Sequence, residues 1–161
     1  MKLENVIVER PYKKVYRCDE GIAKVFEPSH PKEDVFNEAL NQARVEATGL
    51  NIPKVKSVNE IDGKWALVID YKEGKTLEEL MQENPDKMDE YMEQFVDLQL
   101  EIHSKTAPLL GKLKDKLNRQ INSLKDVVDA TTRYELLTRL DSMPKHHKVC
   151  HGDFNPSNVI V

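Results

Sequence analysis

Cysteine is scarce in this 161-residue chain, and the two present, Cys18 and Cys150, stand far apart. Neither belongs to a Cys-x-x-Cys pair, so zinc-ribbon and thioredoxin-like chemistry are unsupported, and no disulfide framework can be drawn. No apolar run approaches the roughly 20 residues that a membrane span requires. The N-terminus, Met1 to Val6, is charged and lacks the apolar core of a secretion signal. A cytoplasmic protein is expected from these absences. Excess positive charge is also missing: the formal net charge is −4, so neither nucleic acid nor a membrane is expected as a partner. Internal repeats and low-complexity tracts are absent. Glycine is sparse, with six in all and none between Glu9 and Lys14.

What is present is enough apolar residue to make a core, 39% of the chain, alongside 32% charged residues. The first 27 residues favour strands: Val6 to Val8, Lys14 to Arg17 and Ile22 to Phe26, with a hairpin turn at Asp19 to Gly21. A helix is expected over about 31–48, with Ser29 or Asp34 as its cap, Pro31 near its start and Gly49 at its end. Phe36, Leu40, Ala43 and Ala47 would form its apolar face. Ser57 to Ile61, a turn at Asp62-Gly63, and Trp65 to Ile69 read as a second hairpin.

After Gly74 the texture becomes helical. Thr76 and Glu79 form a capping box. Tyr91, Phe95, Leu98 and Ile102 share one helical face, as do Leu113, Leu117, Ile121 and Leu124 further on. A third helical run, Arg133 to Leu140, is stopped by Pro144. The acidic run between Lys72 and Glu101 is most simply a solvated helix face. The expected fold class is α+β: a small antiparallel sheet lobe with one helix over residues 1–71, then a mainly helical lobe over 72–161. Val159 to Val161 read as a further strand, and an ending inside a strand suggests a piece of a longer protein.

The strongest chemical signal is His151-Gly-Asp-Phe-Asn-Pro-Ser-Asn158. Phosphoryl transfer needs a carboxylate to orient the attacking hydroxyl and accept its proton, oxygen ligands for magnesium, and cations against the phosphates. Asp153, with Asn158 five positions on, supplies the first two: Asp153 as base, Asn158 as metal ligand. Pro156 stiffens the turn between them, and Gly152 lets the backbone pass close to a neighbour.

This string resembles the catalytic loop of the aminoglycoside phosphotransferase and choline kinase family, whose fold is related to that of protein kinases. The resemblance implies an ATP-dependent kinase acting on a hydroxyl of a small molecule, with magnesium as cofactor and GTP left open as an alternative donor. It further implies that Lys24 contacts the α- and β-phosphates and pairs with Glu38, although Glu33, Asp34 and Glu46 compete as partners. Leu67 to Gly74 resembles the inter-lobe hinge, where the Asp70 carbonyl and the Lys72 amide would meet the adenine edge. His103 resembles a structural histidine, hydrogen-bonded near the loop, and His151 a buttress of the loop backbone.

Two departures from the family pattern stand out. The loop that should cover the nucleotide, Glu9 to Lys14, has no glycine, so backbone amides cannot approach phosphates closely; Lys13 or Lys14 would compensate with charge. The family's second metal-binding aspartate follows the catalytic loop and has no counterpart in these residues. The 161 residues alone are therefore expected not to turn over. The rival readings are a non-catalytic nucleotide-binding pseudokinase and a structural kinase-fold protein.

Overall fold

The computed structural model describes residues 1–161, which divide into two compact units: Met1–Ala107 with Lys148–Val161, and Pro108–His147. The strand-to-helix change near Tyr71 to Gly74 lies inside the first unit.

In the first unit, β1 (Leu3–Arg10), β2 (Lys13–Cys18), β3 (Gly21–Phe26), β4 (Val55–Ile61) and β5 (Lys64–Ile69) form one antiparallel sheet in the order β1-β2-β3-β5-β4. The helix α1 (Lys32–Glu46) joins β3 to β4, so β5 lies between them. This interior strand reads Lys64-Trp-Ala-Leu-Val-Ile69, and Ala66, Leu67 and Val68 are fully buried. A strand covered on both faces has no solvent side on which to place polar residues, hence its unbroken apolar run. On one face Leu67 and Ile69 pack with Phe26 and with Val35 and Ala39 of α1. On the other, Ala66 and Val68 pack with Cys18, Ala23 and Val25. The organisation is the expected α+β one: a small antiparallel sheet carrying one helix, followed by helices.

The turns follow residue chemistry. Asp62 and Gly63 both have positive φ, 49° and 75°, the geometry that a two-residue hairpin of matching twist demands. The β1–β2 hairpin also turns in two residues, Pro11 and Tyr12, but neither has positive φ. At α1 the expectation is corrected in two respects. Pro31 occupies the cap position with no side-chain cap, so neither Ser29 nor Asp34 fills that role. The buried residues are Val35 and Ala39, while Phe36 and Leu40 stay exposed. Both sets have i, i+4 spacing, and the polar ties described below decide between them. Phe36 instead meets Trp65 edge-on, 5.3 Å between ring centroids.

Two more helices complete the first unit, α2 (Leu77–Glu83) and α3 (Met88–Ser104). Thr76 and Glu79 cap α2 reciprocally, as the sequence implies. Leu77, Met81 and Tyr91 form a third apolar cluster, with Phe95 and Val159 packed against it. The segment Val159–Val161 is no full strand; it makes a single bridge, Thr76 to Ile160, because its partners are the few residues ahead of α2. Gly74, at φ 146°, allows this approach: a Cβ there would strike the Val161 carbonyl. No helix in the chain is long and apolar enough to cross a membrane.

The second unit is a helical hairpin of α4 (Leu113–Ser123) and α5 (Ala130–Ser142). Asp129 caps α5 through the Thr132 amide at 2.9 Å. Lys114 of α4 donates to the Asp141 and Met143 carbonyls at 3.0 and 2.6 Å, satisfying the open end of α5.

Leu67→Ala is predicted to cost about 2–5 kcal/mol in urea unfolding, because it empties the layer between β5 and α1. Ile7→Ala, on the exposed edge strand β1, should stay within about 0.5 kcal/mol of the unaltered protein.

Candidate active site

Lys24 lies mid-strand in β3, flanked by Val15 of β2 and Leu67 of β5. Its ammonium sits on the face covered by α1 and donates to Glu38 Oε1 at 2.7 Å. Three polar residues one turn apart fasten α1 to the sheet on this side. Glu38 takes Lys24, Gln42 donates to the Pro53 carbonyl, and Glu46 Oε1 accepts from the Val55 amide at 2.7 Å. Glu46 is thus occupied elsewhere. Glu33 and Asp34 sit in the first turn of α1 and form no ion pair, which leaves Glu38 as the partner of Lys24. Burial is the largest influence on the Glu38 carboxyl and pushes its pKa up. The Lys24 charge and hydrogen bond, helped by Lys13 and His30, outweigh it and hold the group below its ordinary value.

Lys13, at the start of β2, is a second cation at the same carboxylate, 3.9 Å from Glu38 Oε2. Lys14 points to the other face and pairs with Glu9 at 2.8 Å.

The chain leaves β5 through Asp70, Tyr71 and Lys72. Gly21, at φ 141°, makes room here, since a Cβ would strike the Ile69 carbonyl. Both charged side chains turn toward the approach to β4. Asp70 accepts from Lys56 at 3.0 Å and from the Lys54 amide at 3.2 Å, and Lys72 donates to Asn51 at 3.0 Å. The Lys56 hydrogen bond is the largest influence holding the Asp70 carboxyl below its usual range. The Asp70 carbonyl and the Lys72 N–H make no hydrogen bond within the chain, so one acceptor and one donor stand free on this segment.

The loop after Lys148 is anchored at both ends. Val149 is buried and donates its N–H to the Lys105 carbonyl at 3.3 Å, just past α3. Leu77 donates to the Val159 carbonyl at 2.8 Å. Between these ties Phe154 stacks on Phe95 of α3, 4.3 Å between centroids and 7° from parallel. His151 Nδ1 accepts from the Asp153 N–H at 3.3 Å, so His151 buttresses the backbone. The His103 side chain makes no hydrogen bond, contrary to expectation; the tie at that end of α3 is the Lys105 carbonyl.

Asp153 is exposed and clasped by two amides. Asn155 Nδ2 donates to its Oδ1 at 3.0 Å, and Asn158 Nδ2 to its Oδ2 at 3.0 Å and its carbonyl at 2.8 Å. Asn155 Oδ1 also caps the 3-10 turn Pro156–Asn158 by accepting from the Ser157 N–H and hydroxyl. The motif alone does not single out Asn155. Its signal was there: an asparagine directly before a proline at the first position of a helical turn. With its Nδ2 spent on Asp153, Asn158 keeps a free Oδ1, a hard oxygen suited to magnesium. No group of three or more His, Cys, Asp or Glu side chains that could hold a metal ion gathers in residues 1–161.

The Lys24–Glu38 pair carries a pH signature. Because the folded carboxyl lies below its ordinary value of 4.5, the stability it supplies is complete above that pH and is lost as pH falls through the folded value. Glu38→Gln is predicted to lower stability by about 1–2 kcal/mol at neutral pH, in the range between exposed and well-formed charged contacts. Urea titrations should show this gap closing below about pH 4.5. A gap that persists unchanged in acid would contradict the assignment.

The family model described as the phosphotransferase enzyme family matches residues 13–161. A search of curated proteins gave no match. The match takes in β2 through to the final residue, and with it every site residue named above except Glu9; the chain belongs to the phosphotransferase enzyme family.

Proposed function

We propose that the chain carries the nucleotide site and the catalytic base of a magnesium-dependent phosphotransferase, which moves the γ-phosphoryl group of ATP to a hydroxyl of a small molecule. The observation that carries this reading is the clasped Asp153: an exposed carboxylate oriented by two asparagine amides, one of which keeps a free oxygen on the same loop. A carboxylate held in one orientation suits a base that must meet an incoming hydroxyl.

In the proposed reaction the hydroxyl oxygen of the acceptor bonds to the γ-phosphorus as the bond to the β–γ bridging oxygen breaks. Asp153 receives the hydroxyl proton, and ADP leaves with the bridging oxygen. Magnesium, when bound, would neutralise charge on the phosphate oxygens; Asn158 Oδ1 would hold it from the protein side. Lys24 would meet the α- and β-phosphates, kept in place by Glu38. The free Asp70 carbonyl and Lys72 N–H would pair with the adenine edge, a donor-and-acceptor edge facing an acceptor and a donor.

A non-catalytic nucleotide-binding protein is the second reading, and the tight glycine-free turn at Pro11 and Tyr12 favours it. The two part on transfer, not on binding.

In thermal unfolding, MgATP at 100 times its Kd should stabilise the protein by about 2.7 kcal/mol. Lys24→Met should lose most of that gain, and Asp153→Asn should keep it. The chain alone, with Asn158 as its one loop ligand for magnesium, is predicted to give no product above background with MgATP and a panel of hydroxyl acceptors. Ordinary kinase rates would contradict this. Wherever transfer is measurable, Asp153→Asn should lower it by about 10²–10⁴; transfer unchanged by that substitution would remove Asp153 as base.

A further inference from the structure

The two lysines at Glu38 do not come from the same strand. In the β2–β3 register Lys13 pairs with Phe26 and Val15 pairs with Lys24. Alternate strand residues share a face, so Lys13 and Lys24 are diagonal neighbours on the side covered by α1. Lys14 belongs to the opposite side, with Glu9 as its partner. The local balance at Glu38 is therefore two cations against one carboxylate, with Lys24 at 2.7 Å and Lys13 at 3.9 Å.

Lys13 holds the weaker share. Its side chain is about as withdrawn from water as that of Glu38, 29% against 32% exposed. It lies 5.6 Å from the Phe26 ring centroid, so part of its surroundings is apolar. Burial first of all, then Lys24 and Arg10, push its pKa down, while Glu38 alone pulls the other way. An ammonium placed like this gains from a further anion more than a solvated surface lysine would.

The backbone beside it cannot supply that anion's hydrogen bonds. An anion-binding nest of successive amides needs a left-handed residue next to a right-handed one. Neither Pro11 nor Tyr12 has positive φ, and Pro11 has no N–H.

We propose that Lys13 is a second phosphate-binding cation of the nucleotide site, replacing with side-chain charge the amide cradle that this turn cannot form. The proposal rests on the phosphotransferase reading and adds the element that recognises the polyphosphate tail. Donor binding then depends on charge more than on backbone geometry, and is correspondingly sensitive to salt.

The test is titration calorimetry of the full chain with ATP, adenosine and inorganic phosphate. Lys13→Met should weaken ATP by about 10–100-fold, the range for losing one hydrogen bond to a charged group. Adenosine binding should be unchanged, which also reports a folded protein. Lys13→Arg should restore most of the ATP affinity, and Lys14→Met should change nothing. The ATP affinity of Lys13→Met should also fall less with added salt than that of the unaltered protein. Inorganic phosphate alone binding as well as ATP would overturn the assignment to a nucleotide tail. So would Lys13→Met binding ATP normally while Lys24→Met does not. If the unaltered protein binds neither ATP nor adenosine, the phosphotransferase reading falls first, and this proposal with it.

Discussion

A charge on the inner face of a sheet has to be answered from the element that covers it. Lys24 occupies the middle of β3, on the face that α1 packs against, and an unanswered ammonium there would be costly. Glu38 answers it at 2.7 Å. The consequence runs well beyond two residues. Once Glu38 faces the sheet, Gln42 and Glu46 follow at one-turn intervals and reach the Pro53 carbonyl and the Val55 amide. Val35 and Ala39 then become the buried side of α1, and Phe36 and Leu40 turn outward. The roll of the helix, the composition of the core beneath it and the entry into β4 all depend on that ion pair.

The loop around Asp153 is held by a different logic. Its ends are tied by single backbone hydrogen bonds, to Lys105 on one side and Leu77 on the other, and its middle is pinned by Phe154 stacked on Phe95. Within that frame, two asparagine amides fix the carboxylate. Asn155 does this while capping the 3-10 turn that presents Asn158, so one residue orients the acid and builds the support for its neighbour. A loop that must offer an exposed carboxylate cannot rely on burial to hold it, and local hydrogen bonds take over that task.

Much of this was legible in the sequence where a rule is local. The Asp62-Gly63 turn, the capping box at Thr76 and Glu79, the inward face of α3 and the apolar run of β5 each depend on residues within a few positions of one another. The pairing of Lys24 with Glu38 was legible only through family resemblance, because four acidic residues near α1 compete and spacing does not rank them. The misread face of α1 has the same origin: two sets of residues with identical periodicity, separated by polar contacts to segments as distant as Pro53. The terminal strand was misread because apolar content signals extended chain but not how many partners it will find, and Val159–Val161 finds one bridge. Lys13 was seen as a charge but not as a neighbour of Lys24, since that neighbourhood exists only in the β2–β3 register.

The central claim is that the Lys24–Glu38 pair and the Asp153–Asn158 loop serve one ligand. Manganese in place of magnesium tests it directly, since the paramagnetic ion broadens amide resonances close to it. With ATP present, resonances of Gly152 to Val159 should broaden strongly and those around Lys24 detectably, and both effects should disappear when ATP is left out or Asn158 is replaced by alanine. Broadening confined to one of the two regions, or centred on the acidic stretch between Lys72 and Glu101, would contradict the account.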